Sequence, residues 1–166
     1  MDEVDLIDKM KNTEIKFKLC PELWNKEELD WSEFTFFEKK FLNDDVTAMH
    51  QSMDDIPSNT GGIYLFFIRP GIIPNFDYLV YIGRAQYTSG QNLKKRCRSY
   101  FQKYPKERPK INWMIREWGP YLHIKYIELT DNDTIKDLEK KLINSLIPPF
   151  NDEIPNKTIK RAVDAF

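Results

Sequence analysis

Between residues 62 and 83 the chain reads GIYLFFIRPGIIPNFDYLVYIG, two aromatic and β-branched runs around a loop that carries Pro70, Gly71 and Pro74. Runs of this kind flanking turn-forming residues predict an antiparallel hairpin. Its two ends bear the same three residues in opposite order. With the turn centred on Ile72 and Ile73, Tyr64 stands opposite Tyr81 and Gly62 opposite Gly83. Strand side chains alternate, so all four then share one face. The expectation is a pair of phenols beside a strip of bare backbone. A glycine inside a strand marks a bulge or the close approach of another group, and a substrate is one such group.

The rest of the pattern builds a small α+β domain around this hairpin. A helix is predicted from about Asn92 to Tyr104, and a second over residues 109–118, ended by Gly119 and Pro120. A strand follows in YLHIKYIEL, then a helix from about Thr134 to Ile147, stopped by Pro148 and Pro149. The order is β-β-α-α-β-α over residues 56–166, with residues 1–55 forming an acidic, mainly helical extension whose first helix signal lies near Pro21. At 166 residues, one domain plus an extension is expected.

Charge is strongly segregated. Residues 1–59 hold 7 Lys/Arg against 15 Asp/Glu, residues 60–125 hold 12 against 3, and residues 126–166 hold 6 against 8. The middle block, with its run NLKKRCRSYFQKYPKERPK, combines cations with aromatics and suits a polyphosphate surface; the bland alternative is a solvated helix face. The acidic first segment is open to three roles: docking a protein partner, pairing with a second copy in a homodimer, or shielding the basic face. On the last of these, deleting residues 1–50 should raise DNA affinity. No run of about 18 apolar residues offers a membrane span, and MDEVDLIDKM is unlike a leader peptide, so a cytoplasmic protein without membrane association is expected. Cys20 and Cys97 form no CxxC pair, and a structural zinc site is not expected.

On the last helix of the β-β-α-α-β-α pattern, at 100° per residue, Ile135, Leu138, Leu142, Ile143, Leu146 and Ile147 share one arc, and Glu139 falls inside it. A carboxylate aimed at an apolar layer needs a cation, a metal or hydrogen bonds; a buried salt bridge is the structural alternative. On the basic helix Leu93, Cys97, Phe101 and Tyr104 make the predicted buried stripe. Arg96, Tyr100 and Lys103 run beside it, and the spacing of Arg96 and Tyr100 lets both reach one bound group. A guanidinium grips a phosphate through two parallel hydrogen bonds.

The GIY at 62–64, the YIG at 81–83, Arg96 on the following helix, Glu139 on a later one and Asn151 after it resemble, in that order, the GIY-YIG nuclease family. The stretch YIGRAQYTSGQNLKKRCRSYF is especially similar to the nuclease module of the bacterial excision-repair incision subunit. The resemblance covers residues 56–153. It departs from many members in the longer interval between Tyr64 and Tyr81, in Tyr100 standing where histidine is common, and in the inserted QYTSGQ, a loop expected to contact substrate.

The resemblance implies a three-stranded antiparallel sheet flanked by helices and a metal-dependent DNA endonuclease that hydrolyses phosphodiester bonds. It implies one divalent cation, Mg²⁺ or Mn²⁺, on Glu139, with Arg96 stabilising charge on the phosphorus. Tyr64 would orient or deprotonate the attacking water, with Tyr81 and Tyr100 assisting and Asn151 bracing the site. Gly62, Gly83, Arg84, Lys94, Lys95, Arg98 and Lys103 are the expected substrate contacts. A phenol titrates near pH 10, so the base role needs cations, Arg84 or Arg96, to lower that value, although strand alternation turns Arg84 to the face opposite Tyr81, where backbone phosphate is its expected contact. The alternative is a catalytically silent nucleic-acid-binding or partner-docking domain.

Overall fold

The computed structural model describes residues 2–25, 31–101 and 107–165. Four strands form one antiparallel sheet: β1 (Phe37–Lys40), β2 (Gly61–Ile68), β3 (Tyr78–Ala85) and β4 (Leu122–Leu129), ordered β1-β4-β2-β3. The α+β class with an antiparallel sheet matches the sequence expectation, but the sheet has four strands, not three. The added strand, β1, comes from the segment read as helices and loops. It pairs with β4, where Phe37 stacks on Tyr126 at 5.3 Å between ring centroids.

The remaining elements are α1 (Glu3–Asn12), α2 (Leu93–Arg98), α3 (Pro109–Trp118), α4 (Asn132–Leu146) and α5 (Lys157–Asp164), with 3₁₀ turns at Pro21–Leu23, where the first helix signal was expected, at Gln51–Asp55 and at Gly119–Tyr121. Their ends follow local chemistry. Asn92 caps α2 by accepting from the Lys95 amide at 2.9 Å, and Asp131 caps α4 through the Thr134 amide at 2.7 Å. Pro109 opens α3, and Ile147 closes α4 in the left-handed region at φ 45° before the two prolines.

Alternation divides the sheet into two faces. Tyr64, Phe66, Tyr81, Ile124 and Tyr126 look toward Leu93 and Cys97 of α2 and Ile111 and Met114 of α3. Ile63, Leu65, Ile82 and Ile127 look toward Ile135, Leu142 and Ile143 of α4, the arc read from the sequence. Phe41, Leu42 and Met53 are fully buried in the first of these layers. Removing residues 1–50 would therefore take away a strand and two core side chains, and the expected gain in DNA affinity cannot be read from that truncation. Among the described residues, no helix is long and apolar enough to cross a membrane.

Candidate active site

The hairpin keeps the predicted face but not the predicted register. Tyr64 lies opposite Gly83, Phe66 opposite Tyr81 and Gly62 opposite Ala85. The shift is by an even number, so both tyrosines still point to the α2 side, one on a diagonal to the other with ring centroids 6.5 Å apart. A bulge between Phe66 and Phe67 leaves Val80 without an opposite residue.

The two glycines do not offer bare backbone to a substrate. Gly83 is buried beneath the Tyr64 ring, and Gly62, at φ 152°, is buried against β4, where a side chain would overlap the Ile127 carbonyl oxygen. Their presence is explained by packing, which corrects the expectation that they contact substrate.

Above this surface three phenols and two guanidiniums meet. The Tyr64 and Tyr100 hydroxyls are 2.6 Å apart, and Tyr100 donates to the Tyr81 hydroxyl at 3.1 Å. Arg96 Nε donates to the Tyr64 hydroxyl at 3.1 Å, and Arg108 Nη1 donates to Tyr81 at 3.2 Å and to Tyr100 at 3.4 Å. Tyr64 and Tyr100 are fully buried and Tyr81 nearly so. Burial, reinforced by the neighbouring phenols, holds the Tyr64 hydroxyl well above the ordinary tyrosine value, and the opposing charge of Arg96 does not reverse this. Tyr64 is thus a neutral hydrogen-bonding phenol, contrary to the expectation of a lowered value.

Tyr100 is buried and Phe101 exposed, the reverse of the predicted stripes, because α2 ends at Arg98 and the chain turns before Tyr100. The site residue that sequence reasoning missed is Arg108. It precedes Pro109 at the start of α3, and its only signal was membership of the basic run.

Glu139 and Arg84 lie on the other face of the sheet, as alternation predicted for Arg84. The Arg84 guanidinium pairs with the Glu139 carboxylate, whose side chain is 15% exposed. Burial raises the carboxyl above the usual glutamate value; Arg84, and then Arg96, pull it back down, while Glu153 pushes it up. Arg96 is therefore the group whose charge bears on both sides, touching Tyr64 directly and acting on Glu139 at longer range. The salt bridge weighed as an alternative for Glu139 exists.

Among the described residues no group of three or more His, Cys, Asp or Glu side chains is arranged to hold a metal ion. Mg²⁺, however, keeps most of its waters and takes only one or two carboxylates. Glu139, a partly buried carboxylate whose partner is Arg84, would be the single protein ligand of such an ion.

Asn151 braces the outer edge of β3. Its side chain accepts from the Ile82 amide at 2.9 Å and donates to the Ile82 carbonyl at 2.8 Å, while the Phe150 amide donates to Val80 at 3.0 Å. The expected basic contacts are only partly available: Arg98 pairs with Asp54, and Lys94 Nζ donates to the Asp54 carbonyl at 2.6 Å. Lys95 is exposed, its Nζ 3.4 Å from the Gly90 carbonyl. Lys103 and Tyr104 lie outside the described residues. The QYTSGQ loop is tied to the start of α4, with the Tyr87 amide donating to Asn132 Oδ1 at 2.8 Å and the Asn132 side-chain amide donating back to the Tyr87 carbonyl at 3.0 Å. Comparison with protein-family models, with curated proteins and with solved structures finds no match to this chain.

Proposed function

We propose that the chain is a metal-dependent endonuclease that hydrolyses phosphodiester bonds in DNA. The observation that carries this reading is the contact of Arg96 with the Tyr64 hydroxyl in the tyrosine cluster, together with a partly buried Glu139 carboxylate held by Arg84, the residue after the YIG run. Phosphodiester hydrolysis needs a cation on the non-bridging oxygens, a hydrogen-bonding group for the attacking water and an anchor for a divalent ion. Arg96, the tyrosine cluster and Glu139 supply those three chemistries.

Arg96 binds and neutralises the phosphate. Tyr64, sealed and kept neutral by burial, positions Arg96 rather than deprotonating water, and passes its hydrogen bond through Tyr100 to Tyr81. Glu139 would hold Mg²⁺ or Mn²⁺, which when bound supplies positive charge to the scissile phosphate and the departing oxygen. Arg84 occupies the Glu139 carboxylate in the absence of substrate, and a backbone phosphate is an alternative partner that would draw it away. Supercoiled plasmid and single-stranded DNA incubated with Mg²⁺, Mn²⁺ or chelator test the reading. Metal-dependent cutting lost in Glu139→Ala and Arg96→Ala supports it.

A second reading, a silent nucleic-acid-binding or partner-docking domain, is favoured by the sealing of Tyr64 and Tyr100 and by the closed Arg84–Glu139 pair. DNA binding without cutting under any metal condition selects it.

A further inference from the structure

The tyrosine cluster has a direction. Arg96 donates to Tyr64, and Tyr100 donates to Tyr81. With the Tyr100 proton committed to Tyr81, the 2.6 Å bond between Tyr64 and Tyr100 must use the Tyr64 proton. Tyr81 oxygen then accepts from both Tyr100 and Arg108, and its own proton has no acceptor among the described residues. Tyr81 is also the most exposed of the three phenols, at 9% against 1% for Tyr100 and 0% for Tyr64.

The two guanidiniums are in a similar condition. Arg96 and Arg108 both approach one ring, with Cζ atoms 5.4 and 5.9 Å from the Tyr100 centroid, and both donate to hydroxyls of the cluster. Neither is paired with a carboxylate within ion-pair distance among the described residues. Both are half-buried, so water compensates them incompletely. Among the described residues, donors therefore exceed acceptors here: N–H groups on two cations and the hydroxyl proton of Tyr81.

We infer that Arg108, Arg96 and Tyr81 form an oxyanion site for a phosphate group, with Arg108 as a substrate-binding residue. A tetrahedral oxyanion presents several oxygens to donors arriving from different directions, which two guanidiniums and a phenol on separate elements provide and a flat carboxylate would satisfy less completely. That the phosphate belongs to a DNA strand rests on the function proposed above; its binding does not.

Two arms separate these sources. In the first, thermal unfolding of the full chain is followed with inorganic phosphate against chloride at matched ionic strength. Phosphate should raise the melting temperature of the wild type and of Arg116→Ala, a charge control on α3, but not of Arg108→Ala. In the second, a labelled single strand is titrated with chelator present, so that cutting is irrelevant. Arg108→Ala should bind about ten-fold more weakly, as expected for loss of one charge-assisted contact, with partial recovery in Arg108→Lys.

Should Arg108→Ala fail to fold, the arginine Nε–H resonances of the wild type are read instead, and phosphate must shift two of them. Equal phosphate and strand binding by wild type and Arg108→Ala, or no arginine shift, overturns the inference. Phosphate binding through Arg108 in a protein that cuts nothing upholds the site and removes the nuclease. Cutting that is indifferent to Arg108 does the opposite.

Discussion

Gly83 faces Tyr64 across the β2–β3 pair, and a methyl group on Gly83 would lie 2.5 Å from Tyr64 Cζ and nearer still to the hydroxyl oxygen. The last residue of the YIG run is thus the floor on which the tyrosine of the GIY run rests. Gly83→Ala should cost about 1–3 kcal/mol through overpacking. Urea unfolding gives the loss, and most of it should vanish when Gly83→Ala is introduced into Tyr64→Ala, where the ring is absent. An equal loss in both backgrounds would mean that Gly83 is needed for another reason.

Tyr64→Phe tests orientation against base catalysis. Burial raises the Tyr64 pKa, so a phenolate base would produce a cutting rate that climbs with pH into the alkaline range without levelling off near 10. A neutral phenol that positions Arg96 gives no such climb. The expected result is a flat profile above neutrality in the wild type and a fall of about 10²-fold in Tyr64→Phe, measured as initial rates on one oligonucleotide, with far-UV circular dichroism unchanged.

The common face of Tyr64 and Tyr81 was legible because alternation survives any even change of register. The register itself was not, because the bulge at Val80 and the clasp between Arg69 and Asp77 set where the hairpin turns, and neither follows from the hydrophobic pattern. Glu139 was legible as a carboxylate inside an apolar arc, and Arg84 as pointing away from Tyr81; their pairing needed the third dimension. β1 carries only four residues, too few for a periodic signal, and its strand character comes from β4 offering an edge. The burial of Tyr100 depends on α2 ending at Arg98, past which helical periodicity assigns it wrongly, and Arg108 carries no periodic signal because it lies outside both helices.

Asp77 should govern acid stability. Its side chain is 7% exposed, receives Arg69 Nε at 2.6 Å and Nη2 at 2.7 Å, and lies 3.1 Å from Lys125 Nζ. Arg69 and then Lys125 depress its pKa to about 2. A carboxyl with a lowered folded value stabilises above its unfolded pKa of about 3.9 and loses that contribution as the pH falls through about 2. Asp77→Asn should therefore cost ~1–2 kcal/mol at pH 7 by urea unfolding and much less near pH 2.

Glu139 should have the opposite sign. Burial outweighs Arg84 and raises its folded pKa, so the folded chain holds this proton more tightly than the unfolded one. Stability is then lost as the pH rises from the ordinary glutamate value through the raised one, and is level above it. Glu139→Gln removes that slope. Because Arg84 is 35% exposed, water solvates the guanidinium left behind, and the variant should unfold within about 1 kcal/mol of the wild type at pH 7. The same pair of proteins also tests the cation. Mg²⁺ or Mn²⁺ binds the folded state in proportion to its affinity and should raise the melting temperature of the wild type, but leave Glu139→Gln unmoved. Equal shifts in both proteins would exclude Glu139 as the anchor, even if DNA is cut.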